Sequence, residues 1–474
     1  MKIIGRVQEQ EILRRCLESA RPEFLVVYGR RRIGKTYLIR EYFRNRFAFY
    51  SSGVPEFKTK QQLQVFHESL VRYGIADKKA PQNWLEAFSR LRRLLESEKA
   101  VRDPVTGKLV VFLDELPWMD TARSDFKGAL DFFWNTWGSA RQDLLLIVCG
   151  SATSWIIAHL LDDHGGFYNR VTHQLHLLPF SLKECEQLLR ENGSPMNRRQ
   201  IMQSYMVFGG VPYYLNLLDE RLSLDQNIEE LFFKEQGELK YEYNHLFRSL
   251  FRNTEKHMAI IRSLSARRGG KTRVELAADP SIGDGEPLTK ALNELEQCGF
   301  IRKYSHFSFP QRNCLFQVTD PFILFCLHFQ TIQAISSWLS LVHTPEYYAW
   351  RGLAFEMLCL NHVPQIKSSL GITGIQANVY SWRSISAVPG AQIDLLIDRR
   401  DDVINLCEMK FTNEPFSIGS SEEQELLHKL EVFRTETKTR KAIHLTLISA
   451  EGLAAGGHTS VLTKIINGDD LFST

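Results

Sequence analysis

With 474 residues, 44% of them hydrophobic and 24% charged, the chain has the composition of a soluble globular protein of roughly three domains, which excludes a disordered or fibrous class. Lys and Arg total 58 against 55 Asp and Glu, a formal charge of +3, so any polyanionic partner must be met by a local patch. Eight cysteines without a C-x-x-C pair exclude a zinc finger or disulfide frame. A short polar start and the absence of apolar runs near 18 residues predict a cytoplasmic protein with no membrane partner.

The first elements are an apolar run at Phe24–Tyr28, a Gly-rich turn, and helical spacing over Tyr37–Phe43. The turn, Gly29-Arg30-Arg31-Arg32-Ile33-Gly34-Lys35-Thr36, fits G-x-x-x-x-G-K-[ST] between a strand and a helix, the context its mechanism requires. Backbone N–H groups of such a turn face phosphates, and its glycines keep Cβ atoms out of their path. Lys35 can reach the β/γ-phosphates and the Thr36 hydroxyl can ligate Mg²⁺, which makes ATP and Mg²⁺ the expected cofactors.

The next run, Val110–Leu113, ends in Asp114-Glu115. This puts Asp114 at the C-terminal edge of a strand, where open α/β sheets bind ligands. Asp114 is expected to hold Mg²⁺ through water, and Glu115, pointing the other way, to polarise the attacking water. A third run, Leu144–Cys149, leads into Gly150-Ser151-Ala152-Thr153; beside the Asp114 strand it would bring the Ser151 hydroxyl near the γ-phosphate. Compact runs separated by helical stretches predict a parallel α/β sheet. Arg170, before the run Leu175–Leu178, reads either as a surface Arg or as an arginine finger for a neighbouring subunit, the latter implying a homo-oligomer. From Ser181 to Phe233 the pattern is helical, broken at Gly209-Gly210-Val211-Pro212.

Together, Gly5-Arg6 with Glu9, G-R-R-R-I-G-K-T, F-L-D-E-L-P-W, C-G-S-A-T-S-W, Asn169-Arg170, L-P-F-S at 178–181 and F-G-G-V-P-Y-Y-L at 208–215 resemble the archaeal-type ATPases, a branch of the STAND/AAA+ P-loop class. The resemblance spans residues 1 to about 230 and implies an ATPase core over 1–180 and a helical lid over 181–245. It also implies that Gly5 and Arg6 lie near the adenine and that Gly210 and Pro212 cap the nucleotide.

Residues 246–335 read as three helices (Met258–Leu264, Val274–Ala278, Pro287–Cys298) and two strands (Phe300–Tyr304, Leu315–Val318), the order of a winged helix-turn-helix. The third helix carries Glu286, Glu294 and Glu296 against Lys290, which opposes docking on phosphates. The basic residues Arg267, Arg268, Lys271 and Arg273 cluster in the turn after the first helix. These charges favour a structural or regulatory module, with non-specific backbone contact through the basic turn as the alternative. The stretches 235–255 and 335–346 read as linkers.

Residues 345–474 read as a helix (Gly352–His362), strands at Gln392–Ile397 and Val403–Met409 around a polar turn, a helix over Glu422–Phe433 and a strand at Ala442–Ile448. Glu-x-Lys occurs three times, but only Glu408 and Lys410 close an apolar strand, where alternation puts both on one face with Asp394 on the partner strand. With Glu356 on the upstream helix, this set resembles the PD-(D/E)XK nuclease superfamily, a restriction-endonuclease-like α/β fold. The resemblance implies that Asp394, Glu408 and Glu356 bind Mg²⁺ and that Lys410 orients or deprotonates water. Archaeal-type ATPases often carry such a tail after a winged helix. The expected function is an ATPase whose nucleotide state controls the winged helix and a nuclease-like domain with DNA as a non-specific partner. The alternative is a nucleotide-switched scaffold with an inactive tail.

Overall fold

The computed structural model describes residues 2–151, 153–161, 170–251, 254–267, 269–307, 309–330, 337–384 and 386–473. Ala152, Asn169, Arg268 and parts of both expected linkers lie outside the described residues. The chain divides into two compact units, Met1–Leu178 and Pro179–Thr474.

The first unit runs α1 (Val7–Glu18), β1 (Glu23–Tyr28), α2 (Lys35–Tyr42), β2 (Phe49–Ser52), α3 (Thr59–Arg72) and α4 (Trp84–Leu95). It continues with β3 (Leu109–Asp114), α5 (Leu116–Met119), α6 (Phe126–Thr136), β4 (Leu144–Gly150), α7 (Thr153–Ile156) and β5 (His173–His176). All strand pairs are parallel, in the order β2-β3-β4-β1-β5. Both faces of the sheet are covered, so β1, β3 and β4 are continuous apolar runs and not alternating ones. In β1, Phe24 and Val26 join a core with Trp84, Phe126 and Trp134, whereas Leu25 and Val27 join one with Leu13, Leu38 and Ile39. Strand β4 lies between β3 and β1, so the residues after β4 stand between the phosphate loop and the carboxylates of β3.

The second unit begins with helices α8 (Leu182–Glu191), α9 (Arg198–Phe208), α10 (Pro212–Leu215), α11 (Leu224–Ile228) and α12 (Glu242–Leu250). Helix α12 lies within the stretch 235–255 expected to be a linker; it buries Tyr243, Leu246, Phe247 and Leu250, which the charged residues around them concealed. Next come α13 (Thr254–Ser265), β6 (Lys271–Thr272), α14 (Arg273–Ala277), α15 (Glu286–Gln297), β7 (Ile301–His306) and β8 (Phe309–Val318). The remainder comprises α16 (Pro321–Phe325), α17 (Pro345–Asn361), α18 (Val363–Ser369), β9 (Ala377–Arg383), β10 (Gln392–Arg399), β11 (Val403–Lys410), α19 (Ser420–Thr437), β12 (Ala442–Ser449) and β13 (Lys464–Asn467).

These strands form one eight-stranded sheet, β13-β12-β11-β10-β9-β7-β8-β6. The β7–β8 hairpin therefore continues into the C-terminal sheet, through the His306–Ser381 backbone pairing. On one face Ile404 and Leu406 of β11 pack with Leu426 and Phe433 of α19. On the other face lies α17, whose Phe355 ring meets Phe411 at 5.2 Å.

Candidate functional site

The loop from Gly29 to Thr36 is shaped by two glycines. Gly29 has φ 141° and an added Cβ would stand 2.3 Å from the Leu177 carbonyl oxygen; Gly34 has φ 88° and precedes α2. Lys35 is buried and its Nζ donates to the carbonyls of Gly29 at 2.9 Å and Arg30 at 2.8 Å, and to Ser151 Oγ at 3.1 Å. Arg30 and Ile33 are buried, Arg31 is exposed, and Arg32 takes a positive φ of 70°.

Asp114 and Glu115 diverge as alternation requires. Thr36 Oγ1 donates to Asp114 Oδ2 at 2.8 Å, and the Glu115 N–H donates to Asp114 Oδ1 at 2.9 Å. Glu115 adopts φ 45° and its side chain turns to Ser151, whose Oγ donates to Oε1 at 2.8 Å. Ser151 thus joins the Lys35 ammonium to the Glu115 carboxylate. Burial, then the neighbouring Glu115, pushes the Asp114 carboxyl up, against hydrogen bonds from Thr36 and Cys149. A hydroxyl and a carboxylate 2.8 Å apart, with a second carboxylate beside them, form a hard-oxygen set that a divalent cation would relieve. Thr36 and Asp114 therefore fit Mg²⁺ on donor chemistry. The sequence reading missed Cys149, whose fully buried thiol bonds to Asp114; it reads as an ordinary strand residue.

Arg6 is buried in a left-handed conformation (φ 55°), with Nη2 donating to the Ile33 carbonyl at 3.3 Å, so the Gly5-Arg6 segment lies on the phosphate loop. Arg170 is exposed and precedes β5, at the end of the sheet opposite the loop, since β5 runs parallel to β1. It is placed away from the phosphate loop of its own chain. Gly210 and Pro212 belong to the second unit. Gly210 has φ 65°, its carbonyl accepts from the Phe180 N–H at 2.7 Å, and Pro212 opens α10.

In the C-terminal sheet, β10 and β11 pair antiparallel with Leu395 opposite Cys407, a register that sets Asp394 opposite Glu408 on the face of α19. Glu408 Oε1 pairs with Lys410 Nζ at 3.0 Å and Oε2 with Lys429 Nζ of α19 at 2.9 Å; Lys429 also reaches Glu425 at 3.0 Å. Burial raises the Asp394 carboxyl, against a 2.6 Å hydrogen bond from Gln392; Glu408 raises it further, whereas Lys429 and Arg302 of β7 pull it down. Burial opposes the charge on Lys429, but Glu408 and Glu425 outweigh it and lift the lysine above its ordinary value.

The structure therefore brings Asp394, Glu408 and Lys410 together. Glu356 is carried by α17, which packs against the opposite face of the sheet, where Cys359 lies close to Cys407. Lys429 and Arg302 were missed. The spacing of Glu425 and Lys429 on one helix face signals their mutual pairing, but nothing local places them at Glu408.

A parallel sheet with a glycine-rich loop, a lysine and a threonine at its C-terminal edge, and a carboxylate pair two strands away define a P-loop ATPase fold and site. Residues 4–218 match a family described as an ATPase domain predominantly from Archaea, so the chain carries an ATPase domain of archaeal type. An uncharacterized protein of Methanocaldococcus jannaschii is 23% identical over 363 residues, covering 74% of this chain and 75% of its own. Among solved structures, the Walker-type ATPase of Pyrococcus abyssi is 19% identical, with a TM-score of 0.49, covering 69% of this chain and 96% of its own. The ORC2 protein of Aeropyrum pernix is 15% identical, with a TM-score of 0.43, covering 76% of this chain and 96% of its own. Among the described residues, no helix is long and apolar enough to cross a membrane.

Proposed function

We propose that the chain is a cytoplasmic, ATP-hydrolysing switch of the STAND/AAA+ type whose nucleotide state controls the helix-and-hairpin module and the C-terminal domain. The observation that carries this reading is the run Lys35 Nζ–Ser151 Oγ–Glu115 beside the Thr36–Asp114 pair. Lys35 would hold the β/γ-phosphates, Thr36 and Asp114 would hold Mg²⁺, and Glu115 would take the proton of the attacking water. Ser151 ties Glu115 to Lys35; a γ-phosphate competing for Lys35 and Ser151 would release Glu115 toward water. Gly5 and Arg6 would line the adenine side, Gly210 and Pro212 would cap the nucleotide, and Arg170 would serve a neighbouring subunit of a homo-oligomer.

The order helix, short strand, two helices, hairpin over 254–318 supports a winged helix. The antiparallel β10–β11 pair bearing Asp394, Glu408 and Lys410 supports a nuclease-like domain that takes Mg²⁺ and meets a DNA backbone non-specifically. The second reading, an inactive binding tail, is favoured by the two ammonium groups that already clamp Glu408. Plasmid DNA incubated with Mg²⁺ or Mn²⁺ separates the two. Nicking that Lys410→Ala abolishes supports the nuclease; intact plasmid with DNA binding retained supports the tail.

A further inference from the structure

At the end of the first unit's sheet opposite the phosphate loop, three side chains of metal-binding type come together. Helix α1 covers the sheet face that bears Leu25 and Val27, and its Cys16 packs in the same core as those residues. Glu23 opens β1 two residues before Leu25 and shares that face by alternation. His173 opens the edge strand β5 opposite Leu25, and Leu175, two residues on, lies in the same core. The three residues are far apart in the chain, so no spacing signals them; the packing of α1 on β1 and β5 assembles them.

Cys16 Sγ, a Glu23 carboxylate oxygen and a His173 ring nitrogen all lie within 4.8 Å of one another. Glu23 is only 5% exposed, and its Oε2 is buried without a hydrogen-bond partner, a costly state for a carboxylate. That same oxygen stands 3.6 Å from His173 Nε2, too far for a hydrogen bond. Two ligands bonded at about 2.0–2.1 Å to one tetrahedral ion stand about 3.4 Å apart, so the gap suits a shared cation. Lys108 acts electrostatically on Glu23 and Cys16, but its Nζ is committed to the Arg21 carbonyl at 2.6 Å and makes no ion pair with Glu23 among the described residues.

We propose that Cys16, Glu23 and His173 form a site for a zinc-class divalent cation, held by one sulfur, one nitrogen and one oxygen, with water completing the tetrahedron. Cys16 is fully buried whereas the His173 side chain is 40% exposed, so the ion enters past the imidazole. The ligand set selects the metal: thiolate and imidazole suit Zn²⁺, whereas Mg²⁺ demands an octahedron of oxygens. Burial, then Glu23, pushes the Cys16 thiol up to about 12, so the metal-free chain holds it protonated. The sulfur–metal bond forms as that proton leaves to solvent, and the thiolate and carboxylate charges then balance the dication. The ion ties α1 to β1 and β5, away from the phosphate loop. This inference is independent of the nucleotide site and of any nuclease activity.

The test titrates the full chain, stripped with a chelator and kept reduced, with Co²⁺ as an optical stand-in for Zn²⁺. A thiolate on Co²⁺ gives a sulfur-to-metal charge-transfer band that an all-oxygen site does not. The expected result is a saturable band, erased by equimolar Zn²⁺ and unmoved by excess Mg²⁺. Cys16→Ser should remove it, and Asp114→Asn should leave it intact, which separates this site from the Thr36–Asp114 pair. His173→Gln changes the partly exposed ligand. It should keep the metal-free unfolding temperature near the parent's and weaken Zn²⁺ binding at least about tenfold in competition with a chromophoric chelator. Absence of the band, its survival in Cys16→Ser, its loss in Asp114→Asn, or undiminished Zn²⁺ affinity in His173→Gln would each overturn the assignment.

Discussion

Replacing His362 tests how the start of α8 is held to α17. The ring is buried; its Nε2 accepts from the Leu182 N–H at 3.0 Å, and its Nδ1 stands 2.8 Å from the Leu358 carbonyl, to which it donates. Accepting from Leu182 requires the neutral ring, whereas donating to Leu358 does not. Burial lowers its pKa from 6.5 to about 4, with the Leu358 bond opposing. The folded state thus binds fewer protons than the unfolded one as pH falls below 6.5, and the stability present at pH 7 is lost progressively down to about pH 4. At about 1.4 kcal/mol per unit, the loss across that window is on the order of 3 kcal/mol. His362→Met removes the titration and leaves the Leu182 N–H without its acceptor, costing about 1–3 kcal/mol at neutral pH. Urea unfolding of parent and variant, followed by circular dichroism from pH 7 to 4.5, should show the gap between them closing as the pH falls. A gap independent of pH would refute the reasoning.

Lys35→Ala removes the ammonium that reaches the β/γ-phosphates, so binding of a fluorescent ATP analogue or its hydrolysis should largely vanish; unchanged affinity and turnover would reject the site. If Arg170 acts on a neighbour, turnover per chain should rise with protein concentration, and Arg170→Ala mixed with Lys35→Ala should recover activity. Concentration-independent turnover in a strict monomer would end that role. Lys429→Met frees one oxygen of Glu408, and calorimetry should then show tighter Mn²⁺ binding at the C-terminal cluster than in the parent. Unchanged or weaker binding would mean that Lys429 does not compete for the site.

The grouping of the candidate nucleotide site was legible because its residues are contiguous. Gly29 to Thr36 is one turn, and Asp114-Glu115 and Ser151 each close an apolar run that only a buried parallel strand explains. Period-two alternation puts Glu408 and Lys410 on one face, and the two pair at 3.0 Å. What escaped was relation between distant elements. Lys429 and Arg302 reach Asp394 and Glu408 from a helix and a hairpin whose docking no local pattern encodes. Glu356 stands in a helix whose spacing says nothing about which face of the sheet it covers. The short strand β2 and helices α3 and α4, rich in aromatics that pack on one another in the core that holds Phe24, carry no motif and went unread.

The central claim is that Glu115, released from Ser151, serves as the base for ATP hydrolysis. Glu115→Gln keeps the shape of the side chain and leaves the Thr36–Asp114 pair in place, so measuring ATP affinity and turnover on the same preparation separates binding from chemistry. The account predicts ATP affinity close to the parent's with turnover lowered on the order of 10²–10⁴-fold. Normal turnover in Glu115→Gln would contradict it.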